Sequence, residues 1–384
     1  MKKKWEMAIL SAGAFISYNV GAGFASGNEM LQFFCLWKPT GIFLSIFWGF
    51  LMLAWVCTTF FIIGQLSPAE VSSQNYVWAA GKIKGKIFQY VTDICVIGNF
   101  ILMYAGAGNV FQQQFGVPRI VGSLILAVTT LAVRLKGMKK LQDILGYTGV
   151  VILCYIGVFL IITFVGGKSD YNNISLIPDA VAQGKAIRVN LFGNVPFSLI
   201  PGLKNKNFPV LNGILYSSQI AIAGFPFITF LGKRAENKKG ALINGIFAGS
   251  AFYICVSFMV IMLIFNFDCI INPKTGVMYA FPALAVINKL WHAVGWTYSF
   301  LVFTGLFSAT SGYLWVLNDQ LFKGQKDAKN SKLFAIAMTI IGLILGNKIS
   351  FSGLINIMFP LEGVVGVLLT LVCSKKVFSE LIHR

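Results

Sequence analysis

The sequence predicts an all-helical integral membrane protein with about ten transmembrane helices. Of its 384 residues, 57% are hydrophobic and 11% are charged, a balance that one soluble core of ordinary size could not bury. Apolar stretches of about 20 residues, the length that crosses a hydrocarbon core of about 30 Å, recur throughout the chain. Membrane lipid is therefore the first partner that we expect.

Uninterrupted apolar stretches define the predicted spans. The ninth is the shortest, and its polar flanks are needed to reach the interface. The ten spans cover residues 7–37, 41–65, 87–112, 118–135, 143–165, 208–232, 241–267, 293–322, 333–347 and 353–373.

The charge distribution predicts the orientation. The net charge is +18, and 21 of the 31 Lys and Arg residues fall on the N-terminus, the C-terminus and every second connection. Cytoplasmic segments of membrane proteins carry such an excess. We therefore expect a multi-pass protein of the cell membrane with both termini in the cytoplasm, and no binding of nucleic acid. The basic segments are residues 2–4, 82–86, 134–140, 233–239, 323–332 and 375–384.

Enzymatic chemistry is not expected from the residues available. The seven cysteines contain no CxxC pair or metal-ligand spacing, and the two histidines stand in no catalytic pattern. A membrane enzyme would need a cluster of nucleophile, base or metal ligands at one face, and the sequence offers none. No cofactor is predicted apart from a coupling ion, Na⁺ or H⁺.

The first span is irregular at its centre. Residues 17–29 contain three glycines and several polar side chains within an apolar run of more than 30 residues. A straight helix of that length would be about 45 Å long, which exceeds the hydrocarbon core. A break between Gly21 and Gly27 is therefore predicted. The alternative is a continuous helix whose small residues pack closely against a neighbour.

A broken helix at mid-membrane offers free N–H groups to a carboxylate and free carbonyl groups to a cation. Zwitterions and coupling ions are its natural ligands. Two inverted halves of five spans would place a matching break in the sixth span, where Ser217, Ser218 and Gln219 lie at the centre and Pro226 lies deeper. An ordinary proline kink is the alternative.

The motif Gly21-Ala22-Gly23-Phe24 resembles the Gly-x-Gly motif of the amino acid-polyamine-organocation superfamily. The longer string from Val20 to Glu29, followed by Phe33-Phe34, is similar to the YkvI-like membrane proteins, a family of proposed amino acid permeases. This resemblance implies a LeuT-like fold of two inverted five-helix repeats with helices one and six discontinuous. The repeats would cover residues 1–165 and 208–373, with an extracellular loop at 166–207 and a cytoplasmic tail at 374–384.

The resemblance also implies a central site among spans one, three, six and eight. Tyr104 could equally be a tyrosine packed between helices, and hydroxyls often only join membrane helices. The implied substrate-binding residues are Gly21, Ala22, Gly23, Phe24, Ser26, Glu29, Tyr104, Ser217, Ser218 and Gln219. The implied sodium ligands are the carbonyls of Ser17, Val20 and Phe307 and the hydroxyls of Thr310 and Ser311. Proton-coupled relatives often place a lysine of span five at this position, and the predicted span five, 143–165, has no internal lysine, which favours sodium over protons.

Two carboxylates, Glu29 and Glu362, lie deep within predicted spans. Burying a charge in a bilayer is costly and often marks an ion or proton path. Glu29 could instead cap the outer half-helix. Two loops, 166–206 and 269–289, are candidate gates or plain surface loops.

These observations predict a secondary transporter that moves a small organic solute, in particular an amino acid or related zwitterion, by alternating access coupled to sodium or protons. A passive channel and a non-transporting membrane receptor or structural protein are the alternatives. The oligomeric state is left open.

Overall fold

A computed structural model describes residues 2–135, 151, 154–155, 157–159, 161–163, 169–193, 207–322 and 329–382. These residues are largely helical, and their β-structure is limited to one bridge between Ile271 and Met278. The helices are α1 (Lys2–Asn19), α2 (Ala22–Ser26), α3 (Asn28–Met30), α4 (Pro39–Leu66), α5 (Ser72–Ala80), α6 (Lys82–Phe115), α7 (Arg119–Leu135), α8 (Ile177–Ala182), α9 (Pro209–Lys233), α10 (Lys238–Phe265), α11 (Pro282–Leu290), α12 (His292–Phe322), α13 (Lys329–Lys348) and α14 (Phe351–Ile382). A π-helical turn, Leu31–Cys35, follows α3.

Seven of these helices are long and apolar enough to cross a membrane: α4, α6, α9, α10, α12, α13 and α14. They correspond to the predicted spans two, three and six to ten. The predicted fourth span is the 17-residue helix α7. The predicted fifth span, 143–165, lies mostly outside the described residues.

Proline and glycine set several helix ends. Pro39, Pro209 and Pro282 each stand in the first turn of their helices. A backbone N–H at this position has no hydrogen-bond partner within the helix, so proline, which lacks it, is well tolerated. Gly116 ends α6 in the left-handed conformation, with φ of 69°, which favours glycine because it has no Cβ.

The outer surface of the helices is apolar, as expected for contact with lipid. On α4 the exposed side chains Phe43, Phe47, Leu51 and Trp55 recur every four residues and form one stripe along the helix. The opposite side of α4 is buried.

Glycines bring α4, α9 and α14 into backbone contact. A Cβ added to Gly213 of α9 would overlap the Ser45 carbonyl oxygen of α4, and one added to Gly366 of α14 would overlap the Ser218 carbonyl oxygen of α9. Small residues permit this approach, which is a main source of helix association in membranes. The result is a three-helix unit in which α9 is the centre.

The predicted gate loop at 269–289 folds back onto the bundle. Phe281, Ala283 and Leu284 are buried, and the Phe281 ring stacks on Phe351 with centroids 5.4 Å apart. A Cβ on Gly27 would lie 3.1 Å from the Cβ of Ala283. Helix α11 therefore packs against the end of the interrupted first span.

Candidate functional site

The first apolar run is interrupted twice. Helix α1 ends at Asn19, and its last backbone bond joins the Val20 N–H to the Ile16 carbonyl over 2.7 Å. Gly21 then turns the chain, donating its N–H to the Asn19 carbonyl over 2.8 Å. Gly27, at φ of 76°, separates α2 from α3. Both interruptions fall within residues 17–29, the segment that contains the glycines and polar residues of the first apolar run.

Helices α6, α10 and α12 surround the interruption. A Cβ on Gly21 would lie 3.0 Å from the sulfur of Met103 on α6. The Tyr298 hydroxyl of α12 donates to the Ala25 carbonyl over 2.8 Å, and the Phe24 ring lies 5.3 Å from that of Phe252 on α10. The irregular backbone is therefore enclosed by protein, which non-helical backbone at this depth requires.

Glu29 is buried beside the interruption, with 6% of its surface exposed. Its carboxylate accepts hydrogen bonds from the Tyr216 hydroxyl of α9 and from the Phe24 backbone N–H. It lies over Gly23, where any Cβ would overlap a carboxylate oxygen. Gly23 and Glu29, both taken as substrate-binding from the motif, are thus brought together.

Among the described residues, no Lys or Arg forms an ion pair with Glu29. A carboxylate at membrane depth without a cation is costly to keep, and such residues usually serve binding or transport. The arrangement can pair with a cationic group of a solute or hold a proton.

The Ser26 side chain bonds to the backbone of its own segment. Its hydroxyl donates to the Gly23 carbonyl over 2.7 Å and accepts the Asn28 N–H over 3.0 Å. The side chain therefore fixes the two short helices α2 and α3 relative to each other.

The predicted sodium ligands on the first span contact α12. The hydroxyl that Ser17 meets there is that of Ser308, which was not predicted as a ligand. Ser17 Oγ lies 2.5 Å from Ser308 Oγ, and the Ser308 hydroxyl is also 3.1 Å from the Ser17 carbonyl. A Cβ on Gly305 would lie 2.8 Å from the Val20 carbonyl oxygen. Ser308, which is not among the predicted ligands, is thus a hydroxyl that faces the first span.

Thr310 lies on the opposite side of α12 from Ser308, whereas Ser311, three residues along the helix, lies only about 60° away around it. The Thr310 hydroxyl donates to the Leu306 carbonyl over 2.6 Å within its own helix, and Phe307 is partly buried. The Ser311 hydroxyl is buried without a hydrogen-bond partner among the described residues. Two residues along a helix turn through about 200°, so Thr310 and Ser308 point in opposite directions.

The predicted break at Ser217, Ser218 and Gln219 is not found. Helix α9 is continuous over Pro209–Lys233. The polar side chains serve other contacts. Ser217 Oγ donates to the Gly49 carbonyl over 2.6 Å and lies 2.9 Å from the Tyr253 hydroxyl. Ser218 Oγ donates to the Ile214 carbonyl over 2.7 Å in the same helix, and Gln219 is buried. The preceding residue, Tyr216, is the one that reaches Glu29.

Tyr104 is directed away from the interruption and toward α13. Its ring lies 2.7 Å from where a Cβ on Gly342 would stand, and it packs on the Phe100 ring with centroids 5.2 Å apart. The side chain of α6 that meets the first span is Met103 instead. The structure therefore does not bring Tyr104 together with Gly23 and Glu29.

A polar network joins the end of the first span to α14. Gln32 Nε2 lies 2.5 Å from Asn28 Oδ1, and Asn356 Nδ2 donates to Gln32 Oε1 over 2.7 Å. Asn28 also donates to Ser352 Oγ and to the Ala280 carbonyl, over 3.0 and 3.1 Å. These amides were missed because isolated Asn and Gln residues in apolar runs carry no motif.

Arg188 joins this network from the long loop. Its guanidinium donates to the Leu36 carbonyl and lies 3.9 Å from the centroid of the Trp37 ring. Burial lowers the pKa of Arg188 from its ordinary value, but a guanidinium remains a cation at physiological pH. The described part of the 166–207 loop is therefore fixed to the first span.

Two solved proteins share this fold. MhsT, in complex with L-phenylalanine, matches with a TM-score of 0.57 and 15% identity over 94% of this chain and 88% of that one. A mutant form of the manganese transporter of Eremococcus coleocola matches with a TM-score of 0.55 and 13% identity over 95% of this chain and 77% of that one. The class of protein that the fold defines is a multi-pass membrane protein whose fold is shared with MhsT and a manganese transporter.

One relative is similar to almost the whole chain. The uncharacterised membrane protein YkvI of Bacillus subtilis (strain 168) is 24% identical over 373 residues, 95% of each chain. No protein-family model matches. The predicted resemblance to the YkvI-like proteins is confirmed over almost the whole length of the chain.

Proposed function

We propose that the protein is a secondary transporter of a small organic solute, in particular an amino acid or related zwitterion, that works by alternating access. The observation that carries the proposal is the buried carboxylate of Glu29 on an interrupted first span, within a fold shared with MhsT and a manganese transporter. MhsT holds L-phenylalanine in its solved complex. This supports, at the level of the fold, an organic solute as the cargo.

The proposed solute lies where α2 meets Glu29. The amino group of a zwitterion is the chemical complement of the Glu29 carboxylate, and a buried ion pair of this kind discriminates strongly against an uncharged analogue. The Tyr216 hydroxyl and the Phe24 N–H, which both contact Glu29, would hold the carboxylate in place. Gly23 lets the Glu29 carboxylate approach the α2 backbone closely, because a Cβ at this position would overlap it.

The proposed architecture is two inverted repeats of five helices, 1–165 and 208–373, with both termini in the cytoplasm. The basic segments at the chain ends and on alternate connections support this orientation. The interruption in the first repeat has no counterpart break in α9. In this proposal the second repeat supplies an intact helix, with Tyr216 as its contribution to the site.

We further propose that protons, rather than sodium, are the coupling ion. Both oxygen atoms of Ser17 already pair with Ser308, and the Thr310 hydroxyl bonds to Leu306 of its own helix. Bringing the Thr310 hydroxyl to Ser17, as the sodium site implied by the resemblance requires, would need α12 to rotate by about half a turn.

Replacing sodium chloride by choline chloride at constant ionic strength should leave the thermal midpoint of the purified protein unchanged. A bound ion would raise the thermal midpoint, because it would stabilise the folded state by about 2.7 kcal/mol at a hundredfold excess over its dissociation constant. A rise specific to sodium that Thr310→Val abolishes and Ser308→Ala preserves would contradict the proposal and restore the ligand set first expected.

Transport itself is tested in reconstituted vesicles. Thermal-shift screening against amino acids, amines and nucleobases selects a solute, whose radiolabelled form is then offered to vesicles with an imposed pH gradient. We expect saturable accumulation that a protonophore collapses. Glu29→Gln should lose accumulation and solute exchange alike, because it removes the charge that faces the solute.

The controls separate this proposal from its alternatives. The exposed Glu236→Gln variant should transport like the parent protein. Uptake that stops at equilibrium and ignores the gradient would identify a passive channel. Failure of every solute to be accumulated or exchanged would favour a receptor or structural role.

A further inference from the structure

A second buried carboxylate lies away from the proposed solute site. Glu362 of α14 has 2% of its surface exposed, and Asn99 of α6 is equally buried. Asn99 Nδ2 lies 3.2 Å from one Glu362 oxygen and 3.3 Å from the other. The Cys95 thiol, one turn earlier on α6, is the second hydrogen-bond partner. Glu362 therefore joins α14 to α6 in the interior of the bundle.

The groups that face Glu362 supply no positive charge. The titratable side chains that interact with it are Cys95 on α6, Tyr18 on α1, Tyr313 on α12 and Glu29 on α3. None of these side chains carries a positive charge, and within the described part of the chain no Lys or Arg pairs with Glu362.

This environment suits a neutral carboxylic acid better than a carboxylate. An ionised carboxylate can accept about four hydrogen bonds, whereas one amide and one weak thiol donor are present. Removing an ion from water without a counter-ion costs several kcal/mol even in relaxed proteins. A proton on Glu362 would remove that cost in the described conformation.

Glu362 is mechanically joined to the proposed solute site through α9. A Cβ on Gly363 would lie 2.6 Å from the Leu215 carbonyl oxygen, and one on Gly366 would overlap that of Ser218. Between these two contacts lies Tyr216, whose hydroxyl binds Glu29. A shift of α9 against α14 therefore changes the surroundings of both carboxylates.

From this geometry we propose that Glu362 is the proton-binding site of the transport cycle. The proton adds to one carboxylate oxygen in the closed conformation described and leaves to water when α14 separates from α6. No other reactant is needed. The inference rests on the proposed function for its role in transport, but the protonation itself can be measured without any solute.

Infrared spectroscopy of the purified protein in lipid nanodiscs tests the protonation. At pH 7 the difference between the parent protein and Glu362→Gln should contain the C=O band of a protonated carboxylic acid. Glu380→Gln is the matched control, since Glu380 lies on the same helix and pairs with Lys376 over 2.9 Å. That variant should remove no such band. Absence of the band from the Glu362→Gln difference would overturn the proposal.

Asn99→Ala provides a second variant in case Glu362→Gln fails to fold. The Asn99 amide lies within hydrogen-bond distance of both Glu362 oxygens, so its loss should move the C=O band to higher frequency, because a C=O group that accepts one hydrogen bond fewer is stiffer. An unchanged band would contradict its assignment to Glu362.

Transport separates this inference from the proposed function. Glu362→Gln should lose accumulation driven by a pH gradient, at least tenfold, while keeping exchange of the solute across the membrane. If the parent protein accumulates a solute and Glu362→Gln accumulates it equally well with the same pH dependence, the inference fails while the proposed function stands. If the parent protein neither accumulates nor exchanges any solute, the proposed function fails, and the infrared band alone decides whether Glu362 binds a proton.

Discussion

Replacement of Gly23 by alanine is expected to abolish transport while leaving the protein folded. Gly23 lies within α2, and its backbone can accommodate alanine. The added Cβ would overlap the Glu29 carboxylate, which is the flexible end of a side chain and can move. The carboxylate would then leave its Tyr216 and Phe24 partners, with a loss of about 1–3 kcal/mol in stability.

The double variant Gly23→Ala/Glu29→Ala identifies the cause. Removing Glu29 relieves the overlap, so the thermal midpoint should recover toward that of Glu29→Ala alone. Transport should not recover, because the charge that faces the solute is gone. Solute accumulation in vesicles and thermal unfolding measure the two effects. Full transport by Gly23→Ala would show that the position of the Glu29 carboxylate is unimportant.

The membrane-spanning helices could be predicted because bilayer thickness fixes their length. Even the weakest stretch, 333–347, belongs to the 20-residue helix Lys329–Lys348. The interruption near Gly21 and Gly27 could also be predicted. Its glycines and polar residues stand inside an apolar run that is too long for one straight crossing.

The rotation of each helix about its axis was harder to predict. In a soluble protein the polar face of a helix points to water. Inside a membrane, the lipid and the protein interior are both apolar, so polarity does not indicate which face of a helix is buried. The resemblance placed the hydroxyls of Thr310 and Ser311 at the first span, whereas the small residues Gly305, Ser308 and Gly312 make the contacts there. The spacing of these small residues was the better guide.

The prediction for the sixth span was wrong for a related reason. A cluster such as Tyr216-Ser217-Ser218-Gln219 can mark a break, but each group can also be satisfied within or between intact helices. Ser217 bonds to α4 and α10, Ser218 to its own helix, and Tyr216 to Glu29. The partners lie on other helices, about which a single stretch of sequence carries no information.

Gly366→Ala is expected to destabilise the whole bundle, the largest stability effect we predict. Its Cβ would overlap the Ser218 carbonyl oxygen and lie 2.6 Å from the carbonyl carbon, and these backbone atoms cannot swing aside as a side chain can. Overpacking typically costs about 1–3 kcal/mol, and more where backbones must separate.

Gly353→Ala on the same helix is the control. Its Cβ would lie 3.4 Å from the nearest atom, the Cβ of Ser350, so alanine should be neutral or stabilise by up to about 1 kcal/mol through helix propensity. Thermal unfolding of the two variants in one detergent measures the difference. Equal midpoints would mean that α9 and α14 do not approach as closely as their glycines permit, and the mechanical link between Glu362 and Glu29 would be lost with that contact.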